Sequence, residues 1–169
     1  MEKRFVISIL VENKYGVLTR VTSMFTRRGF NIDSLSVGVT ESPDYSRITI
    51  TMTGDDYVKE QMVHQLRKLY NVRKVEVLEG SESLRRELIL VKVRNDPDHH
   101  QRILSSMNIF KAKILDYSPE VLIIECTGVP NKIDAFIEMV RPLGIIELCR
   151  TGIVAMRKGQ EGSLTDIED

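Results

Sequence analysis

The hydrophobic spacing of this chain switches between strand and helix periods in one fixed order, and that order occurs twice. From Phe5 to Val11 apolar residues fill both faces of a strand, and Val17, Leu18, Val21, Met24 and Phe25 then fall at helical spacing. Ile32 to Thr40 returns to period two, with Leu35, Val37 and Val39 on one face. Arg47 to Thr53 sets Ile48, Ile50 and Met52 against Thr49, Thr51 and Thr53, the pattern of a strand with one wet face. Gly54-Asp55-Asp56 opens a second helix with acids in its first turn, and Val58, Met62, Leu66 and Leu69 make its apolar stripe. Val75 and Val77 supply a last strand. The order βαββαβ fits an α+β ferredoxin-like sandwich with both helices on one face of the sheet.

The second half repeats the order without repeating the residues. Leu88 to Val93 reads as a strand, and Asp96-Pro97 as a helix cap followed by proline at the first helical position. Ile103, Leu104 and Met107 line that helix, and Phe110 to Tyr117 with Val121 to Thr127 form a hairpin around Ser118-Pro119-Glu120. Asn131 to Arg141 is a helix with Ile133, Phe136, Ile137 and Val140 inward, ended by Pro142 and Gly144. Ile145 to Met156 is expected as one final strand. These segments divide the chain into two tandem sandwiches, 1–78 and 86–157, joined by a polar linker at 79–85. The tail, 158–169, has little to bury and is expected to be disordered.

A chain of 169 residues with 24 basic and 24 acidic side chains has no bulk charge with which to hold nucleic acid. It has no apolar run long enough to span a membrane, and its first residues lack the apolar core of a secretory signal, so a cytoplasmic location is expected. Cys126 and Cys149 sit in apolar strand-like runs with no second ligand pair, and are expected as buried free thiols. His99 and His100 point apart in a first helical turn with no acid or cysteine cluster around them, and His64 lies on a polar helix face, so no metal site is expected.

The chemistry-bearing segment is Val11-Glu12-Asn13-Lys14-Tyr15-Gly16-Val17-Leu18, a strand end, a tight polar loop and a helix start. Unpaired amides and the positive end of the helix dipole suit a carboxylate there. Asn13 adds a carbonyl, and Gly16 permits close backbone approach. Nothing in the segment can break a bond. Asn13 and Gly16 also suit a plain tight turn, and Asn31 also suits a strand-entry residue capping the preceding helix. Ser34, Ser36 and Gly38, with Thr49 and Thr51, make a small-residue sheet surface that would let a second copy come close.

The loop resembles the effector loop of ACT domains, amino-acid-sensing modules of metabolic enzymes. Glu12-Asn13, Gly16, Leu18, Arg20-Val21, Phe25, Arg28-Gly29-Phe30-Asn31-Ile32 and Ser34-Leu35 resemble the signature of acetolactate synthase (acetohydroxyacid synthase) small regulatory subunits. The likeness continues through Arg86 to Val93, Lys132 to Phe136 and Arg150-Thr151-Gly152, nearly the full chain except the last dozen residues. Tyr15 stands where many ACT loops carry proline.

The resemblance implies a non-catalytic subunit that activates a catalytic large subunit and confers feedback inhibition by valine in branched-chain amino acid biosynthesis. It implies thiamine diphosphate, Mg2+ and FAD on the large subunit and none in this chain. It also implies a homodimer through the ACT domains, with effector residues Asn13, Gly16, Val17 and Leu18 of one copy facing Asn31 and Ile32 of the other. Two other classes fit a ferredoxin-like fold. An acylphosphatase-like enzyme needs an arginine in its anion-cradling loop, and this loop offers only Lys14 and Asn13. An amino-acid-responsive transcription regulator needs a helix-turn-helix and a basic surface, and neither is evident.

Overall fold

Strand β1 (Lys3–Glu12) is buried along eight consecutive residues from Phe5 to Glu12, on both of its faces. The computed structural model describes residues 2–159. In it β1 is central in a four-stranded antiparallel sheet of order β2-β3-β1-β4, with β2 at Ser34–Val39, β3 at Tyr45–Gly54 and β4 at Val72–Val77. Helix α1 (Val17–Arg27) connects β1 to β2, and α2 (Asp56–Arg67) connects β3 to β4. Val17, Val21, Met24 and Phe25 of α1, with Met62 and Leu66 of α2, close over Ile7, Ile9, Ile48, Ile50 and Met52. Each fully buried side chain of this size contributes ~1.5–3 kcal/mol of transfer free energy.

The helix ends follow from local chemistry. Helix α1 stops in a Schellman arrangement: the Gly29 amide donates to Thr26 O (3.1 Å), and the Phe30 amide donates to Phe25 O (3.1 Å). Gly29 holds φ +68°, a left-handed conformation that side chains other than glycine rarely adopt. This places Phe30 and Ile32 against the core that Phe25 anchors. At α2, of the two acids expected in the first turn, Asp56 lies there and Asp55 is the N-cap, its carboxylate accepting from the Val58 amide at 2.8 Å.

The second unit, Arg85–Gly152, repeats the topology. Strands β5 (Ser83–Arg94), β6 (Lys113–Tyr117), β7 (Val121–Gly128) and β8 (Ile145–Arg150) take the order β6-β7-β5-β8. Helices α3 (His100–Phe110) and α4 (Pro130–Val140) pack Ile103, Met107, Ile133, Phe136 and Val140 onto Ile89, Val91, Val93, Leu122, Ile124 and Cys126. Phe110 and Phe136 meet edge to face at 5.4 Å. A single 3-10 turn, Pro97–His99, precedes α3, and Phe110 ends that helix instead of opening β6, because Lys111 turns left-handed at φ 52°.

One expectation is corrected at the C-terminal end. The run from Ile145 to Met156 is two strands, β8 and β9 (Val154–Arg157), broken at Thr151–Ile153, where Gly152 takes φ +76°. After that break the chain joins the first unit, which comprises residues 2–84 and 153–159. Ile153 and Ala155 bury against Val6 and Leu78, and the Lys158 amide donates to Glu82 O at 2.8 Å. Thr49 and Thr51 are buried, not wet, and Thr51 and Ser34 hydroxyls bond each other. Of the small-residue surface, Ser36, Gly38 and Thr49 line a cavity of about 400 Å³ whose other wall is Val154, Ala155 and Met156.

Cys126 is buried, which pushes its thiol pKa up, whereas Cys149 is exposed on β8, not buried as expected. Its neighbours Ile146, Glu147 and Leu148 are exposed as well, so a run of apolar letters here does not imply a covered strand. Residues 160–169 of the expected disordered tail lie outside the described residues.

Candidate effector site

The loop from Asn13 to Gly16 leaves the end of β1 and is tied to the β2–β3 hairpin. The Asn13 amide donates to Asp44 O (2.7 Å), and its side-chain Nδ2 donates to Pro43 O (2.9 Å). Both bonds use donors. The Asn13 side-chain carbonyl accepts from no group among the described residues, so it stays available to a cation.

Gly16 occupies the N-cap of α1 with φ 78° and ψ −4°, and no side chain caps the helix. A Cβ built on Gly16 would meet nothing within 4 Å, so the glycine is required by backbone conformation, with open space beside it. The Val17 amide reaches only Lys14 O at 3.4 Å, and the first turn holds no acid. Val17 points into the core while Leu18 is exposed. An open groove of about 710 Å³ begins at Gly16 and follows Thr19, Arg20 and Ser23 to Arg27. The arrangement leaves the helix start without a side-chain cap, its Val17 amide holding only a long bond to Lys14 O, and this positive dipole end favours an anion beside the Asn13 carbonyl, which favours a donor.

Asn31 and Ile32 are not at this end of the molecule. Ser34 pairs with Thr51, which pairs with Val6 near the start of β1, whereas Glu12 pairs with Tyr45 at its end. The eleven residues of α1 separate the two groups by ~16 Å of helix. Asn31 is exposed and Ile32 half-buried on the core. Within one chain, therefore, Asn13, Gly16, Val17 and Leu18 come together, and Asn31 and Ile32 do not join them.

A polar cluster behind the loop was not anticipated. Glu12 is almost fully buried, with a side chain 8% exposed, and accepts from Asn71 Nδ2 at 2.7 Å, Lys14 Nζ at 3.0 Å and Arg73 Nη2. The Lys14 hydrogen bond, then Asn71 and Arg73, hold its carboxyl at about 2, against the opposing effect of burial. Asn71 is itself buried, and its carbonyl oxygen accepts from Arg20 Nη1 on α1. The one sequence signal is a carboxylate at the very end of a strand that is apolar on both faces. Asn71 and Arg73 lie outside any periodic pattern.

Among the described residues no group of three or more His, Cys, Asp or Glu side chains is placed to hold a metal, and no helix is long and apolar enough to cross a membrane.

Two family models divide the chain between them. Residues 7–74 match the "AHAS small subunit-like ACT domain", and residues 86–159 match the "Small subunit of acetolactate synthase". The fold and the loop thus define a tandem ferredoxin-like protein whose first half is an ACT domain. The acetolactate synthase small subunit of Mycolicibacterium smegmatis is 47% identical over 92% of each chain. The probable acetolactate synthase small subunit of Archaeoglobus fulgidus is 50% identical over 92% of this chain and 97% of its own. The crystal structure of the acetolactate synthase small subunit from Thermotoga maritima superposes with a TM-score of 0.86 at 42% identity, covering 94% of this chain and 99% of that one. The chain belongs to the acetolactate synthase small subunit family.

Proposed function

We propose that this chain is the non-catalytic regulatory subunit of a cytoplasmic acetolactate synthase, raising the activity of the large subunit and conferring inhibition by valine. Thiamine diphosphate, Mg2+ and FAD belong to that large subunit, and this chain contributes a valine sensor. The observation that carries the reading is the uncapped start of α1, where Gly16 opens the backbone, no acid occupies the first turn and the Asn13 carbonyl is unengaged.

The valine carboxylate meets the amides of Gly16, Val17 and Leu18, and its ammonium meets the Asn13 carbonyl. Asn31 and Ile32 complete the site from a second copy. Their position at the far end of α1 supports this reading, because one chain cannot bring both groups to one ligand. Strand β2 is the edge strand on that side of the sheet and leaves Val37 and Val39 exposed, as a side-by-side dimer requires. A ligand shared between copies favours one packing of the pair over others, and that differential affinity is the source of control.

The test is to combine the chain with a purified large subunit and follow acetolactate formation while titrating valine. Enhancement without valine and suppression with it support the reading, and a large subunit indifferent to this chain overturns it.

A further inference from the structure

Behind the loop, the pairing of β1 with β4 is irregular at one place. Leu10 pairs with Lys74 and Val11 with Val72, so Arg73 is an extra residue bulged from β4. Bulges re-aim side chains, and this one turns Arg73 onto the buried Glu12 carboxylate. Asn71, two residues earlier, bonds Glu12 twice: its backbone carbonyl accepts the Glu12 amide at 2.9 Å, and its side-chain Nδ2 donates to the carboxylate at 2.7 Å. The same side chain accepts from Arg20, one helical turn after Gly16.

We infer that Asn71 is a positioning residue for the effector site, locking the first turn of α1 to the end of β1 through Arg20 on one side and Glu12 on the other. The inference rests on the valine-sensor reading above. Asn71 touches no ligand. It fixes the distance between the strand end that carries Asn13 and the helix turn that carries the free amides, and Glu12 extends the lock into the loop through Lys14. A ligand that bridges Asn13 and the helix start needs that distance held before it arrives, since ordering it on binding lowers affinity.

The experiment measures valine binding by calorimetry and thermal stability on the full-length chain for Asn71→Leu, Arg20→Gln and their double variant. Gly16→Asp serves as a site control. Glu87→Gln, in the second unit, serves as a control for destabilisation remote from the loop. Asn71→Leu and Arg20→Gln are each expected to weaken valine binding about five- to ten-fold, the double variant no more than the worse single. Glu87→Gln is expected to lower the melting temperature with valine affinity unchanged. Should Asn71→Leu fail to fold, Arg20→Gln, changed at an exposed side chain, decides the matter. Unaltered affinity in Arg20→Gln, with binding abolished in Gly16→Asp, overturns the lock and leaves the sensor standing. Absence of valine binding by the unaltered chain overturns the sensor reading and the lock with it.

Discussion

At Asn13 the side-chain amide is divided between two tasks. Its Nδ2 donates to Pro43 O, and its side chain is otherwise exposed. A hydrogen bond to a charged group is worth ~1.5–3 kcal/mol, so Asn13→Ala is expected to weaken valine binding roughly ten- to a hundred-fold by calorimetry. Gly16→Asp is expected to be worse, because it puts a carboxylate where the proposed site would hold the valine carboxylate and forces a side chain onto φ 78°. Glu12 makes a separate prediction. Its folded carboxyl titrates at about 2 instead of 4.5, so the unfolded chain binds the proton first as pH falls. Its contribution to stability is complete above about pH 4.5 and is lost as pH falls toward 2. Denaturant midpoints measured from pH 6 down to pH 2 are expected to fall less steeply in Glu12→Gln than in the unaltered chain.

At the scale of elements, the strand and helix periods determine most of what forms. The stripes Val17–Phe25, Val58–Leu69 and Ile133–Val140 turn inward as their spacing requires, except Leu18, which is exposed. The departures have particular causes. The Thr49 and Thr51 face reads as wet because period two reports only which side chains share a face, not what covers them: Thr49 lines a cavity walled by the distant β9, and Thr51 is buried with its hydroxyl on Ser34. The break at Gly152 is easily passed over between the apolar positions that flank it, because it lies in a single positive φ. The loop chemistry is legible at Asn13 and Gly16 because turn residues announce themselves, whereas Asn71 and Arg73 act through a bulge that no spacing rule foretells.

In the second unit, Arg150 joins three elements. It forks onto Glu87 of β5 at 2.9 and 2.7 Å and reaches Asp134 of α4 at 2.8 Å from β8. The Glu87 hydrogen bonds, with Asp134 adding to them, raise the Arg150 pKa further still. Glu87 is 1% exposed, so Arg150→Met strands a buried carboxylate and is expected to cost about 3–5 kcal/mol in urea unfolding. Glu87→Gln leaves Arg150 a partner in Asp134 and is expected to cost less, about 1–2 kcal/mol.

At the scale of the whole molecule, the first unit depends on residues at opposite ends of the sequence. Ile153 is 1% exposed and packs on Val6 and Leu78. Truncating such a side chain costs ~2–5 kcal/mol, so Ile153→Ala is expected to lower the unfolding midpoint of the first unit. Two units need not unfold as one, and probes placed in each, with the exposed Cys149 first changed to serine, a fluorophore at Tyr57→Cys and, in a separate variant, at the exposed Ile109→Cys, would show which transition moves. A shift confined to the second unit would refute the assignment of Ile153.

The return of β9 has a topological outcome. The polypeptide leaves its opening body at Leu84, builds another from Arg85 to Gly152, and comes home at Ile153. The later body is thus an insert, with its exits side by side: the Thr151 amide donates to Leu88 O at 3.0 Å. A protease nick in the turn at Glu79–Glu82 would not free two halves, because the piece carrying Ile153 and Ala155 would still be clasped against Val6. Cutting the gene at that turn would instead yield a leading fragment with a bare apolar flank, prone to stick to its own kind.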